Sequence, residues 1–106
     1  MNGNMMGWDL TISQAISHAE KYNFDGKLIS RELDGSIKKT TYGESIKRSK
    51  KLANALNKLG INLHDRVATI AWNNSRHFET YFGVSGMGAI LHTLNPRYSP
   101  AQLIYI

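Results

Sequence analysis

The feature that most constrains the fold is a strand–helix–strand pattern between Arg66 and Arg97. The run Val67–Trp72 is short, mostly apolar and rich in β-forming residues, as expected for a strand covered on both faces. Residues 76–87 have the length of a crossover helix, and a second apolar run follows over Ala89–Leu94. Two short strands joined by a helix are most economically a right-handed βαβ unit with parallel strands. The sequence therefore predicts an α/β fold.

Three helix starts are marked by hydroxyl residues that can cap a helix. Each stands three positions before a Glu or Gln, which is the spacing of a capping box. The pairs are Thr11 with Gln14, Thr41 with Glu44, and Ser99 with Gln102. The helix after Thr41 has the strongest support, because apolar residues recur along one face and make it amphipathic. That stripe comprises Ile46, Leu52, Ala53, Leu56 and Leu59, and Gly60 is placed to end the helix.

A small antiparallel β-hairpin is predicted between the first two helices. Residues 27–33 and 36–40 form its strands, and Asp34-Gly35 joins them. This dipeptide is typical of a type I′ turn, in which both central residues need positive φ. Residues 1–10 show no periodicity and are expected to form an arm, with Trp8 as its anchor. The predicted organisation is therefore an arm at 1–10 followed by a domain that starts at residue 11.

The composition describes a globular protein and excludes several classes. A chain of 106 residues can form one small domain, and its 42% hydrophobic and 20% charged content is neither disordered nor membrane-spanning. No apolar run approaches the roughly 18 residues needed for a transmembrane segment, and no signal peptide is visible. The absence of cysteine excludes a disulfide scaffold and a thiolate metal site. These features fit a cytoplasmic protein.

Three glycines near the predicted crossover helix invite comparison with a phosphate-binding loop. Gly83, Gly86 and Gly88 do not directly follow a strand and are not in G-x-G-x-x-G order, and no Gly-Lys-Ser/Thr follows them. We therefore favour a structural role, in which small residues let a helix lie close to a sheet.

The basic cluster at residues 47–51 supplies much of the net charge of +5. Such a cluster is one way of binding phosphate or nucleic acid. The apolar stripe of the same helix continues through it, however, and no aromatic residues are interleaved to stack bases. A solvated helix face is favoured, and no nucleic-acid partner is predicted.

The remaining polar candidates show no recognisable catalytic or metal-binding pattern. The four histidines are His18, His64, His77 and His92. No pair has a zinc-binding spacing, so His77 and His92 are interpreted as structural. No Ser/His/Asp arrangement can be assembled from sequence separation. Asn95-Pro96-Arg97 follows the second predicted strand, at the edge where open α/β sheets bind ligands, but Asn-Pro is also a common turn and that interpretation is favoured.

The last four residues, Leu103–Ile106, are apolar and come directly after the start of the third capped helix. A parallel pair of strands also leaves exposed edges that this chain has few residues to cover. We therefore expect the beginning of a larger domain that is truncated at residue 106.

One dense combination of residues goes beyond these local patterns. It comprises residues 65–73, 76–79, 81, 83–89 and 91–97, with Thr41–Glu44, Leu52-Ala53, Leu56 and Leu59-Gly60 before it and Leu103–Ile106 after it. In this combination the sequence resembles the adenylate-forming enzymes, and within them the medium- to long-chain fatty-acyl-CoA ligases. The resemblance is close over residues 41–106 and loose over 8–40. The combination is specific, whereas no single piece of it is.

The resemblance implies a fold and an activity for the complete protein. Residues 11–106 would be the start of the N-terminal AMP-binding (synthetase) domain, an incomplete N-terminal portion of the large α/β domain. Such enzymes activate a small-molecule carboxylate with ATP and Mg²⁺ to an acyl-adenylate and pass the acyl group to coenzyme A. The family places its triphosphate loop, ribose-binding acid and mobile lysine further downstream. No catalytic, cofactor-binding or metal-binding residue is therefore assigned to this chain.

Two roles for the chain follow from the resemblance. The first is that of a part of such a ligase, inactive and without cofactors by itself. The alternative is a noncatalytic interaction or dimerisation module derived from such an enzyme, for which a homodimer is one arrangement. The sequence does not determine the acyl chain length or type, the oligomeric state or any association with a membrane surface.

Overall fold

A computed structural model describes residues 3–106 of the chain, and this part contains four helices and two two-stranded sheets. In chain order the elements are α1 (Ile12–Tyr22), β1 (Lys27–Arg31), β2 (Ile37–Thr41), α2 (Tyr42–Lys58), β3 (Arg66–Ile70), α3 (Ser75–Gly86), β4 (Ile90–Leu94) and α4 (Pro100–Tyr105). The predicted α/β architecture, with a hairpin, an amphipathic helix and a βαβ unit, is confirmed. The first two residues of the predicted arm lie outside the described residues.

Strands β3 and β4 form the parallel pair that the sequence predicts. Their register runs from Arg66 beside Ile90 to Ile70 beside Leu94, and α3 connects them. The expectation that both faces of these strands are covered is wrong. Burial alternates along β3, and Ile70 is 59% exposed. One face of the sheet therefore packs on the protein while the other remains open, because a βαβ unit places its single helix on one side only.

Strands β1 and β2 form the predicted antiparallel hairpin, but the turn differs from the prediction. Gly35 has a φ of +83°, whereas the non-glycine residue with positive φ in the described chain is His64 and not Asp34. A type I′ turn is therefore wrong. The Gly35 N–H donates to the Glu32 carbonyl at 3.0 Å and the Glu32 N–H donates to the Ser36 carbonyl at 2.9 Å. This is a three-residue loop, in which only the last residue needs positive φ.

Two of the three predicted capping boxes are complete. In α2 the Thr41 hydroxyl accepts from the Glu44 N–H, and the Glu44 carboxylate accepts from the Thr41 N–H. Ser99 and Gln102 form the same pair of bonds at α4. At α1 the Thr11 hydroxyl accepts from the Gln14 N–H at 3.3 Å, which is the Thr11 half of the predicted box. Gly60 has a φ of +91°, as expected of a glycine just after a helix.

The core of the described structure lies between α2 and α3. Its buried apolar residues are Ile46 of α2, Val84 of α3 and Ala89 just before β4. Leu59, which the sequence assigns to the same apolar stripe as Ile46, is 79% exposed, so that part of the prediction is wrong. Leu59 is the C-cap residue of α2 and so lies at the very end of the helix.

Gly83 lets α2 and α3 approach each other closely. A Cβ atom at this position would lie 3.0 Å from the Ser49 carbonyl oxygen and 3.2 Å from Leu52 Cδ2. The prediction that this glycine allows close packing is therefore confirmed, but the predicted neighbour is wrong, because Gly83 packs against a helix and not against a sheet. Gly88 has a φ of +85° at the end of the crossover, a conformation that favours glycine.

Two cations of the basic cluster form ion pairs within the described residues. Arg48 Nε lies 2.8 Å from both carboxylate oxygens of Glu79, whose side chain is only 8% exposed. Lys50 Nζ lies 2.8 Å from Glu20 on α1. These bonds tie α2 to α3 and to α1, so the cluster partly serves the packing of the three helices.

The described chain is extended for its size. Its radius of gyration is 16.2 Å, compared with the roughly 13 Å of a compact domain of this length. Many large apolar side chains are exposed as a result, and Trp8 is among them at 62%. The prediction that Trp8 anchors the arm is therefore wrong. Within the described residues, no helix combines the length and apolar character needed to cross a bilayer.

The capping box of α2 makes a testable contribution to pH dependence. A hydrogen bond from the Thr40 hydroxyl, and then one from the Thr41 N–H, lower the pKa of Glu44 below its ordinary 4.5. Because folding lowers this pKa, the ionised Glu44 side chain stabilises the folded state. This contribution is fully present above pH 4.5 and is lost as the pH falls through the pKa that Glu44 has in the folded protein. We expect Glu44→Gln to lose less stability than the parent chain on acidification below that pH, measured by urea unfolding. Equal losses in the two proteins would contradict this.

Candidate functional site

A groove lies between the hairpin and the carboxyl ends of the parallel strands. Its volume is about 930 Å³. Three segments form its walls, namely β1, the connection from β3 into α3, and the loop after β4. We call it the edge groove, and its lining consists of residues 28–31, 71–75, 77, 78, 81, 82 and 93–98. It lies at the edge where an open α/β sheet is expected to bind ligands.

The loop after β4 brings Asn95-Pro96-Arg97 to the edge groove, as its position in the sequence predicts. The Asn95 side chain accepts from the Arg97 N–H at 3.0 Å, and its carbonyl accepts from the Tyr98 N–H at 3.1 Å. The first bond is that of an Asx turn, and the second is the main-chain bond of a β-turn. The Arg97 guanidinium lies 5.5 Å from the centre of the Trp72 ring. The favoured structural interpretation agrees with this geometry, because the Asn95 oxygen is used within its own turn.

The start of α3 forms the floor of the edge groove. Asn74 caps the helix, since its side-chain oxygen accepts from the His77 N–H at 3.1 Å. Its amide nitrogen donates to Glu32 at 3.2 Å and so ties the hairpin to the helix. Ser75 is 1% exposed, and its hydroxyl has no hydrogen-bond partner among the described residues. The capping thus positions the groove floor and leaves one buried hydroxyl unpaired beneath it.

Both ring nitrogens of His77 have neighbours within the chain. Nε2 lies 3.3 Å from the Thr69 hydroxyl, and Nδ1 lies 3.4 Å from the Asn73 amide oxygen. In one consistent arrangement Nδ1–H donates to Asn73 and Nε2 accepts from Thr69. These contacts connect α3 to β3, which agrees with the structural interpretation of His77.

The other sequence candidates are dispersed. His18 packs on Tyr22, with ring centroids 4.7 Å apart. His64 lies in the connection before β3, and His92 lies on the exposed face of β4. Residues 3–106 contain no group of three His, Asp or Glu side chains that could hold a metal ion. The structure therefore does not bring the histidines together.

An aromatic wall lines the edge groove, and the sequence analysis does not identify it. Trp72, Tyr81 and Tyr98 are 48%, 43% and 40% exposed, and Phe78 packs on Phe82 with centroids 4.7 Å apart. The spacing of residues 78, 81 and 82 places three aromatic rings on one helix face, so a signal was present. The groove offers stacking and apolar contact together with the Arg97 cation. It contains no paired nucleophile and base.

Comparison with known proteins adds a direct indication of family. A family model described as AMP-binding enzyme matches residues 17–106. The chain is 44% identical over all 106 residues to the 3-methylmercaptopropionyl-CoA ligase of Ruegeria lacuscaerulensis (strain DSM 11314 / KCTC 2953 / ITI-1157), covering 20% of that protein. It is 42% identical over 106 residues to the medium-chain-fatty-acid–CoA ligase of Ectopseudomonas oleovorans, covering 100% of this chain and 19% of that protein. The chain thus spans about one fifth of the length of these curated relatives.

Solved structures share the fold. The anthranilate CoA ligase AuaEII in complex with anthranoyl-AMP superposes with a TM-score of 0.79 at 15% identity, covering 99% of this chain and 20% of that one. The N-terminal domain of FACL13 from Mycobacterium tuberculosis superposes with a TM-score of 0.78 at 19% identity, covering 90% and 23%. At these identities the likeness concerns the fold alone.

Proposed function

Because this chain belongs to the AMP-binding enzyme family, we propose that it works as part of an ATP-dependent, AMP-forming fatty-acyl-CoA ligase. The observation that carries this proposal is its likeness, along its full length, to proteins named as acyl-CoA ligases. In this proposal residues 11–106 are the start of the N-terminal AMP-binding domain, and the cytoplasm is the compartment.

The reaction proposed for the complete enzyme has two steps. A carboxylate oxygen attacks the α-phosphorus of ATP, giving an acyl-adenylate and releasing pyrophosphate. The thiol of coenzyme A then attacks the acyl carbon, and AMP leaves. The substrates are a small-molecule carboxylate, ATP and coenzyme A, with Mg²⁺ as the metal that accompanies ATP. The relatives named above differ in the acid that their names specify.

The side chains of the edge groove do not fit Mg²⁺-bound ATP. Mg²⁺ in nucleotide sites is bound through carboxylates, and no Asp or Glu lines the groove. A triphosphate is held by backbone N–H groups of a glycine-rich loop and by a lysine, and the groove lining includes neither. No chemical step is therefore assigned to these residues. Their proposed contribution is to build the parallel sheet and the helix layer on which an active site depends.

A segment exchange tests this proposal. The aligned segment of the Ruegeria ligase is replaced by residues 1–106, and turnover of the ligase's own acyl substrate is followed by pyrophosphate release. We expect activity within about tenfold of the parent ligase, because a correctly folded scaffold leaves the catalytic geometry in place, whereas a displacement of about 1 Å costs on the order of 10²-fold. The ligase with the segment deleted supplies the baseline.

The isolated chain provides the complementary measurement. It is expected to show no acyl-dependent exchange of pyrophosphate into ATP, and detectable exchange would contradict the view that the reacting groups lie elsewhere. An exchanged ligase that folds but is as inactive as the deletion would favour the alternative, a noncatalytic interaction or dimerisation module. The large apolar residues exposed on this chain give that alternative a physical basis.

A further inference from the structure

Two Asp-Gly dipeptides lie close together in the chain, at Asp25-Gly26 and Asp34-Gly35. The first connects α1 to β1, and the second lies in the loop of the hairpin. Both aspartates are exposed. An aspartate that precedes glycine can react with its own backbone, because glycine has no side chain to hinder the approach of its nitrogen. The two dipeptides therefore place the same chemistry in two different local structures.

The reaction converts aspartate to isoaspartate and needs only water. The glycine nitrogen attacks the side-chain carbonyl carbon of the protonated aspartic acid, so that an N–C bond forms, the C–OH bond breaks and water leaves with the amide proton. The product is a succinimide ring. Water then opens the ring. Addition at the side-chain carbonyl restores aspartate, whereas addition at the main-chain carbonyl gives isoaspartate, whose backbone is longer by one carbon atom.

The attacking nitrogen is held in the same way in both dipeptides. The Gly26 N–H donates to the Asn23 carbonyl, and the Gly35 N–H donates to the Glu32 carbonyl, each at 3.0 Å. Each nitrogen must therefore leave a main-chain bond of the same length before it attacks. A difference in reactivity between the two dipeptides has to come from the carboxyl groups.

The two carboxyl groups have different surroundings. Asp34 Oδ1 accepts from the Ser36 hydroxyl at 2.6 Å and from the Ser36 N–H at 2.9 Å. These bonds, the hydroxyl first, hold the pKa of the Asp34 carboxyl below its ordinary 3.8, so less of it is in the protonated form that reacts. Within residues 3–106, the Asp25 carboxylate takes part in no hydrogen bond or ion pair. Its side chain can therefore turn toward the Gly26 nitrogen without breaking a contact.

We propose that Asp25-Gly26 is a site of spontaneous isoaspartate formation in the folded chain, and that the hairpin loop protects Asp34-Gly35 from the same modification. The contacts that distinguish the two dipeptides lie within residues 23–36, so they do not depend on the arrangement of a larger domain. The inference stands apart from the ligase proposal, since the reaction takes place within the chain itself.

Isoaspartate at position 25 would fall between two contacts that hold the start of α2. The Phe24 carbonyl accepts from the Gly43 N–H, and the Gly26 carbonyl accepts from the Tyr42 N–H, each at 2.9 Å. A helix start leaves these N–H groups without partners in the helix, so the two carbonyls satisfy them. An added backbone carbon between the two carbonyls changes their spacing and weakens this attachment. The modified chain should therefore be less stable.

Peptide mapping compares the two dipeptides in one sample. Trypsin releases them in separate peptides, residues 22–27 and 32–38, and electron-transfer fragmentation distinguishes isoaspartate from aspartate. During incubation of the folded chain in mildly acidic buffer, isoaspartate should form at Asp25 about tenfold or more faster than at Asp34, as expected when a hydrogen bond to a charged group must first be broken. In the urea-unfolded chain the two rates should be similar. Equal rates in the folded chain, a faster rate at Asp34, or no isoaspartate at Asp25 would overturn the proposal.

Ser36→Ala tests the protection of Asp34, and Ser30→Ala is the matched control in the same hairpin. The Ser30 hydroxyl donates to Glu32 at 3.2 Å and does not contact Asp34. Loss of the Ser36 hydroxyl should raise the rate at Asp34 by about fivefold, as expected for one net hydrogen bond, while the Ser36 N–H retains part of the protection. Ser30→Ala should leave the rate unchanged. An Asp34 rate that is the same in both variants would show that Ser36 does not protect the loop.

Asp25→Glu tests the structural consequence, because glutamate would have to close a larger and less favourable ring. After incubation the parent chain should unfold at a lower urea concentration than before, whereas the variant should lose less. Any reaction at Asn2-Gly3 occurs in both proteins and cancels in the comparison. Equal losses would show that isoaspartate at position 25 does not weaken the attachment of α2.

Discussion

Replacing Ile46 with alanine is expected to lower the free energy of unfolding by about 2–5 kcal/mol, the usual cost of removing a large buried side chain. Ile46 is 1% exposed and lies between α2 and α3. It is one of three buried apolar residues in the described chain, so few neighbours can move to fill the space that it leaves. Urea unfolding followed by circular dichroism measures the effect.

Leu59→Ala is the matched control, because the sequence assigns Leu59 and Ile46 to the same stripe of α2. Leu59 is 79% exposed, and its truncation should change the free energy of unfolding by no more than about 0.5 kcal/mol. Equal losses in the two variants would show that the stripe is buried as a whole and that the packing of α2 against α3 is not as described.

Replacing Gly83 with valine is expected to cost about 1–3 kcal/mol, the typical penalty for adding atoms to a closely packed site. The new Cβ would lie 3.0 Å from the Ser49 carbonyl oxygen, which belongs to the backbone of α2 and can yield only if the helix shifts. Leu52 Cδ2, at 3.2 Å, can rotate away more easily. The variant should unfold at lower urea concentration than the parent chain.

Gly86→Val supplies the comparison for Gly83→Val on the same helix. No atom lies within 4 Å of a Cβ placed at Gly86, so the change should stay within about 0.5 kcal/mol. Comparing the two separates close packing from the general effect of replacing a helical glycine. If both variants have the stability of the parent chain, the close approach of α2 and α3 is absent in solution.

The helix starts are the part of the fold that sequence reasoning predicts best. Each capping hydroxyl lies three residues from the N–H that it accepts from, so the interaction depends only on local chain geometry. The parallel pairing of β3 and β4 was predictable for a similar reason, because a helix-length connection leaves few other arrangements for two short strands.

The errors concern features that depend on distant parts of the chain. Trp8 and Leu59 are apolar, but whether either is buried depends on which surface lies opposite, and the local pattern does not specify that surface. Asp34-Gly35 resembles a two-residue turn, yet the Glu32–Ser36 pair sets a loop of three residues. Register is decided by how both strands pack, and the turn conforms to it.

The edge groove shows the same division between local and distant effects. Sequence position brings Asn95 to the carboxyl edge of the sheet, since it follows β4 directly. The facing wall comes from β1, more than sixty residues earlier, and the contact from Asn74 to Glu32 that joins the hairpin to α3 cannot be read from spacing. The aromatic wall had a helical spacing that was open to prediction.

The sequence by itself determined the order and type of the elements, the capped helix starts and the family to which the chain belongs. These depend on interactions between residues close in the chain, or on a pattern spread over the whole of it. Only the tertiary structure decided which side of each strand is covered, that Gly83 faces a helix, and that β1 forms part of the edge groove. Those features depend on the relative placement of elements, which is set by the summed packing of many side chains and not by any one segment.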